Sequence, residues 1–295
     1  MQGGGLTLPD RLVEITITPP LGALVLPAIQ RVRAAAARVE CMNNLHQLGV
    51  ALHHYHNDYA SLPPGLTIPK PGEPMPWVTF LTRTLPYIER SDLGLRSHTA
   101  YAQSASPYVV PPHTPFITVV KAFTCPLDPR LHEPHPTHQG FVAAHTSYVG
   151  CNGTDRSARN GVFFPDSRIA LSDILDGTSH TIMVGERPPS TDFWWGWWYA
   201  CAGQDGTGAP DVLLGANETN PGGPVGYVCG PGPYSFSQGK LTENCDAFKF
   251  WSLHQGGSHF LMGDKSVRFF TYQAGAAVLP ALATRNGGEP ATLPD

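Results

Sequence analysis

Thirteen histidines make metal ligation the first chemistry to look for in this chain. His132, His135 and His138 fall in the loop His132-Glu-Pro-His135-Pro-Thr-His138, where prolines fix the backbone and would let three imidazoles converge as zinc requires. His53 and His56 are three apart and share a face of a predicted helix, whereas His54 points elsewhere. Histidines in Pro-rich loops are commonly just exposed, so no metal and no cofactor is expected, and a histidine-based metal-dependent protein stands as a second alternative. The six cysteines, Cys41, Cys125, Cys151, Cys201, Cys229 and Cys245, contain no C-x-x-C pair, which removes zinc-ribbon and thioredoxin readings. An even, widely spaced set fits disulfides in an exported protein, with the pairing left open.

Catalytic patterns are missing: there is no G-x-S-x-G, no P-loop, no H-E-x-x-H and no Rossmann glycine pattern after a strand. Asp173, Asp176 and Glu186 imitate a carboxylate cluster, but Asp176-Gly177 is more simply a turn. The chain is therefore read as non-enzymatic, with no catalytic residue. The aromatic run Phe193 to Tyr199 holds Trp194, Trp195, Trp197 and Trp198. In a strand, Trp195 and Trp197 would face one side and Trp194 and Trp198 the other. Buried, these rings are core or subunit contact. Exposed, they form the contact patch of a carbohydrate- or protein-binding surface module, the first alternative function.

The elements that must position these groups begin with a helix. Val25, Ile29, Val32, Ala36 and Val39, then Leu45, Leu48, Leu52, Tyr55 and Tyr59, alternate three- and four-residue steps, one face of a helix of roughly nine turns. Pro63-Pro64-Gly65 ends it. Leu45, Leu48, Leu52 and Tyr55 are expected to face a sheet. Residues 258–271 read as a hairpin, with Gly263, Asp264, Lys265 and Ser266 in its turn. Lys265 fits poorly there, because such turns favour positive φ. Thirty-one Gly and thirty Pro point to loops around short strands rather than a bundle. A net charge of -4 with 14% charged residues leaves no basis for nucleic-acid binding. Residues 12–30 lie where an anchor would be, yet Glu14 and Pro19-Pro20 interrupt them, and the apolar run Leu21 to Ile29 is well short of the roughly 20 residues a spanning helix needs.

Several words of this sequence, in order, resemble the bacterial DUF1559 family. They are Cys41-Met42-Asn43-Asn44-Leu45, Leu52-His53-His54-Tyr55-His56, Leu62-Pro63-Pro64-Gly65, Leu85-Pro86-Tyr87-Ile88-Glu89, Phe123-Thr124-Cys125-Pro126, Ser147-Tyr148-Val149-Gly150, Asp173 to Thr181, and Val184-Gly185-Glu186-Arg187. Near the end His254 and Asp264 have nine residues between them, similar to the family's H-x9-D-G processing-associated motif, with Lys265 in place of the glycine. At the front, Gly5-Leu6-Thr7-Leu8-Pro9-Asp10 aligns with a prepilin-type cleavage and methylation signal: cleavage between Gly5 and Leu6, and Asp10 as the acidic position. The resemblance implies a pilin-like or pseudopilin-like α+β fold, a long N-terminal helix packed on an antiparallel β-sheet with a loop-rich head and a C-terminal hairpin. It implies residues 1–30 as a degenerate signal and anchor, 31–62 as the continuing helix and 63–295 as the β-rich head. It further implies an exported, cell-surface or membrane-anchored structural subunit of the type IV pilus or type II secretion kind, or a soluble periplasmic one given the degenerate anchor. Its partners would be other pilin-like subunits or its own copies, with a prepilin peptidase acting on the signal.

Overall fold

The computed structural model describes residues 8–137, 140–222 and 229–289, with side chains from residue 26 onward. Gly5, Leu6 and His138 lie outside the described residues, as does the side chain of Asp10. The chain divides into two units, Met1–Val39 and Glu40–Asp295. Helix α1 runs Leu8–Tyr59, followed by α2 (Phe80–Thr84), α3 (Ser91–Gln103) and α4 (Tyr272–Leu282). The strands are β1 (His135–Pro136), β2 (Val142–Ala143), β3 (Tyr148–Gly153), β4 (Ile182–Glu186), β5 (Leu213–Gly215), β6 (Asn217–Glu218), β7 (Tyr234–Ser235), β8 (Gly257–Met262) and β9 (Val267–Thr271).

In the first unit, the α1 side chains Leu26, Ile29, Val32 and Val39 are 59%, 42%, 69% and 51% exposed. Among the described residues, no helix is long and apolar enough to cross a membrane.

The second unit is built on a five-stranded sheet in the order β5-β3-β4-β8-β9. It is mixed, not antiparallel as expected: the three-residue β5 lies parallel to β3, and the other pairings are antiparallel. Because strand side chains alternate, the sheet feeds two cores. Tyr148, Val184, Leu213 and Leu261 cluster with Leu45, Leu48 and Leu52 of α1. Val149, Cys151, Ile182, Phe260 and Phe270 cluster with Phe236, Phe250 and the α4 residues Leu279 and Leu282. Burying each large apolar side chain contributes about 1.5–3 kcal/mol, so the three helix leucines alone outweigh any single polar contact around them. At Gly49 the helix comes so close to the sheet that a Cβ would stand 2.7 Å from Leu261 Cδ1.

Helix histidines that looked available for a metal instead bind backbone. His53 Nε2 donates to the Gly263 carbonyl at 2.9 Å, His46 Nδ1 to that of Lys265 at 3.1 Å, and Leu171 N–H donates to His56 Nε2 at 3.1 Å. The first two grip the turn of the C-terminal hairpin. Inside it, Asp264 Oδ1 accepts from the Ser266 N–H and hydroxyl, and Lys265 takes φ +72°, the left-handed conformation a glycine adopts freely. The helix ends at Tyr59, where Ala60 turns to φ +55° ahead of Pro63-Pro64.

Candidate functional site

Strand β4 ends on Glu186, whose side chain is buried on both flanks by polar groups. Its Oε2 accepts from the His259 backbone N–H at 2.6 Å, from His259 Nδ1 at 3.1 Å and from the Ser258 hydroxyl at 3.1 Å. Its Oε1 accepts from His254 Nε2 at 3.2 Å. The backbone supplies the two histidines differently. His259 sits on β8, the strand paired to β4, whereas His254 comes from the preceding loop, where its N–H donates to the Ser252 hydroxyl at 3.1 Å. Ser252 in turn donates to the Gly257 carbonyl at 2.7 Å, which fixes that loop against the start of β8. Burial alone would raise the Glu186 pKa, but the hydrogen bonds from His254 and His259 outweigh it and hold the carboxyl down at about 2. The group is an ionised, buried carboxylate with both oxygens in use.

A disulfide lies against this pair. Cys41 of α1 is bridged to Cys125, and the Cys125 sulfur is 3.8 Å from His254 Nε2. Helix position explains Cys41: it falls one turn before Leu45 on the buried face. Its carbonyl accepts from the Tyr148 hydroxyl at 3.4 Å. Cys125 is fixed by its N–H donating to the Ser147 hydroxyl at 2.9 Å, while the neighbouring Asn44 amide donates to the Thr124 carbonyl at 3.1 Å. Ligand atoms of Cys41, Cys125, Glu186 and His254 thus all lie within 4.8 Å of one another, and all four residues are buried. Two thiols, an imidazole and a carboxylate form a donor set that suits a zinc-type cation when the sulfurs are reduced. The cavity beside the centre, lined by Cys125, Asp128, Ser147, Glu186 and Ser252 among others, is about 10 Å³. That is room for one water at most, not for a substrate.

The residues singled out by sequence fare unevenly. Asp264 does not join His254: it shapes the hairpin turn while His254 turns to Glu186. The His132 to His138 loop does not form a site among the described residues, because His132 is exposed and His135 is taken up by the Arg130 carbonyl and a ring stacked 3.8 Å from Phe193. Of the two readings of the tryptophan run, the rings follow the buried one and do not form an exposed contact patch. Phe193 to Tyr199 is not a regular strand, and Trp195, Trp197 and Trp198 are buried, with Trp194 half-buried. Core packing absorbs them: the Trp198 indole donates to the Thr118 carbonyl at 3.0 Å, and Trp197 stands edge-on to Phe116 and Phe141. Asp173 and Asp176 are also separate from Glu186, accepting from the Ala170 N–H and from the Gly287 and Gly288 N–H groups.

Sequence reasoning missed the convergence itself, although a signal for it was present. Cys41, Cys125, Glu186 and His254 each belong to a different motif of the family resemblance, and those motifs meet in space. The remaining cysteines separate into a second disulfide, Cys229–Cys245, and two buried free thiols. Burial pushes Cys151 up to about 12 and Cys201 well above the usual thiol value, so neither is a reactive nucleophile.

No curated protein and no solved structure matches the chain. The family described as a protein of unknown function (DUF1559) matches residues 30–276, a span that includes all four residues of the centre. With that match covering most of its length, the chain belongs to the DUF1559 family.

Proposed function

We propose that this protein is a non-enzymatic, exported structural subunit of pilin-like kind, in which the centre at Glu186 ties the C-terminal part of α1 to the sheet and the N-terminal part of the helix contacts further copies. The observation that carries this reading is the make-up of the centre. Cys41 comes from the helix, the other three members come from the body, and the adjoining cavity of about 10 Å³ gives a substrate nowhere to bind. Such a centre fastens elements together rather than turning over a ligand. Two disulfides favour an oxidising compartment, hence export. The exposed Leu26, Ile29 and Val32 offer an apolar surface at helical spacing, which a second copy of the same helix would cover.

Sedimentation and electron microscopy of the full chain test the role. Multimers or filaments that the double variant Ile29→Asp, Val32→Asp disperses, with thermal unfolding of the body unchanged, are expected. A protein that stays monomeric at high concentration would overturn the assembly reading.

A second reading is favoured by the same four residues and by donor chemistry more directly than pilus membership is: a protein whose state depends on a metal. The Cys, Cys, Glu and His set is the one cluster of this kind among the described residues.

A further inference from the structure

We propose that the centre has two exchangeable states: the Cys41–Cys125 disulfide, and a reduced form in which both sulfurs, Glu186 Oε1 and His254 Nε2 bind one zinc-type divalent cation. This deepens the structural reading, on which it rests for the purpose of the centre.

Distances carry the argument first. Zinc bonds to sulfur, nitrogen and oxygen of about 2.0–2.3 Å place tetrahedral ligands about 3.3–3.8 Å apart. His254 Nε2 already stands 3.2 Å from Glu186 Oε1 and 3.8 Å from Cys125 Sγ. Cys41 Sγ lies within the same 4.8 Å group, and cleavage of the S–S bond frees the two sulfurs to part to that edge length.

The support around the ligands points the same way. Three donors hold Glu186 Oε2, namely the Ser258 hydroxyl and the two N–H groups of His259, so the carboxylate is oriented and Oε1 is the oxygen presented to His254 and the sulfurs. A ligating carboxylate held in this manner is the usual outer arrangement of a structural metal site. Two buried thiolates beside a buried carboxylate would repel without a cation, and the ion supplies the missing positive charge.

The exchange balances. A dithiol reductant passes two electrons and two protons to the disulfide, giving two thiols and its own cyclic disulfide. The cation then displaces both thiol protons, while the His254 proton now pointing at Glu186 moves to Nδ1 and the neutral ring binds through Nε2. In the reverse direction a disulfide oxidant takes two electrons from the thiolates, its own S–S bond breaks to give two thiols with two protons from solvent, the Cys41–Cys125 bond forms, and the cation leaves with its oxidation state unchanged. In this scheme the newly made, reduced chain holds the helix with metal, and export replaces the metal with a covalent bond.

The test uses the full chain, reduced with dithiothreitol, desalted without oxygen and titrated with zinc. One zinc per chain and a rise in melting temperature are expected for the reduced protein, and neither for the oxidised protein. Cobalt(II) should show thiolate-to-metal absorption that Cys41→Ser and Cys125→Ser abolish. Ser258→Ala, which keeps all four ligands, should weaken zinc about 10-fold, giving a readout that does not depend on a ligand variant folding. Zinc bound equally before and after reduction, or a folded reduced protein that binds none, would overturn the proposal. If zinc fails while Ile29→Asp, Val32→Asp still disperses multimers, the metal site falls and the structural role stands; if the reduced protein binds zinc but never assembles, the metal site stands and the structural role falls.

Discussion

Residues 26–39 and 41–55 of α1 carry apolar side chains at the same three- and four-residue steps, yet Leu45, Leu48 and Leu52 are buried whereas Leu26, Ile29 and Val32 are exposed. The difference teaches what periodicity means. A helical stripe says which side chains share a face; what covers that face is decided elsewhere in the sequence. For the later stretch, the cover is the face of the sheet that carries Tyr148, Val184 and Leu261, reinforced by His46 and His53 on the hairpin turn. The later stretch also bears Cys41, and with it the only disulfide cross-link between the helix and the body among the described residues.

The largest way to break this contrast is chemical. Cys41→Ser removes a bridge that closes 84 residues, and loop-closure entropy puts its loss at about 4–5 kcal/mol. Removing Cys229–Cys245, which spans only 16, should cost about 3 kcal/mol. Denaturant midpoints of the two variants check the order.

Next in size is the matched pair Leu48→Ala and Val32→Ala. The first empties a buried site and should cost about 2–5 kcal/mol, the second about 0.5 kcal/mol or less in monomer. Equal losses in urea unfolding would dissolve the distinction between the two stretches.

Acid should act through the centre. The Glu186 pKa is depressed to about 2 from the ordinary glutamate value of 4.5. A depressed carboxyl contributes stability that is fully present above the unfolded value and is lost as pH falls towards the folded one. The loss between pH 4.5 and pH 2 should be on the order of 3 kcal/mol. Glu186→Gln should flatten the stability profile in that window while being less stable at neutral pH, and an unchanged slope would remove Glu186 from the account.

The smallest effect sharpens the hairpin end of the contact. Lys265→Gly relieves a left-handed residue and should stabilise by about 1 kcal/mol, read as a higher melting temperature.

The elements ruled by local chemistry were legible in the sequence. The stripe Leu45, Leu48, Leu52 and Tyr55 is buried as expected, Pro63-Pro64 follows the helix end, and the hairpin turn carries Asp264 in a shaping role with Lys265 strained. Non-local features were not legible. Parallel pairing of β3 with the three-residue β5 leaves no mark in so short a strand. The alternation expected for Trp194 to Trp198 failed because Gly196 at φ +116° breaks the extended run, and Asp211 draws the Gly196 and Trp197 N–H groups into a loop. For the centre, Cys41 and His254 are 213 positions apart, and no spacing rule joins residues at that distance.

Hydrogen exchange along α1, measured at low and high protein concentration, tests the central claim most directly. Amides of residues 41–55 should be protected at every concentration and lose protection when Cys41–Cys125 is reduced without metal, whereas those of 26–39 should become protected only as concentration rises. Residues 41–55 exchanging as fast as 26–39, or 26–39 exchanging freely at every concentration, would contradict it.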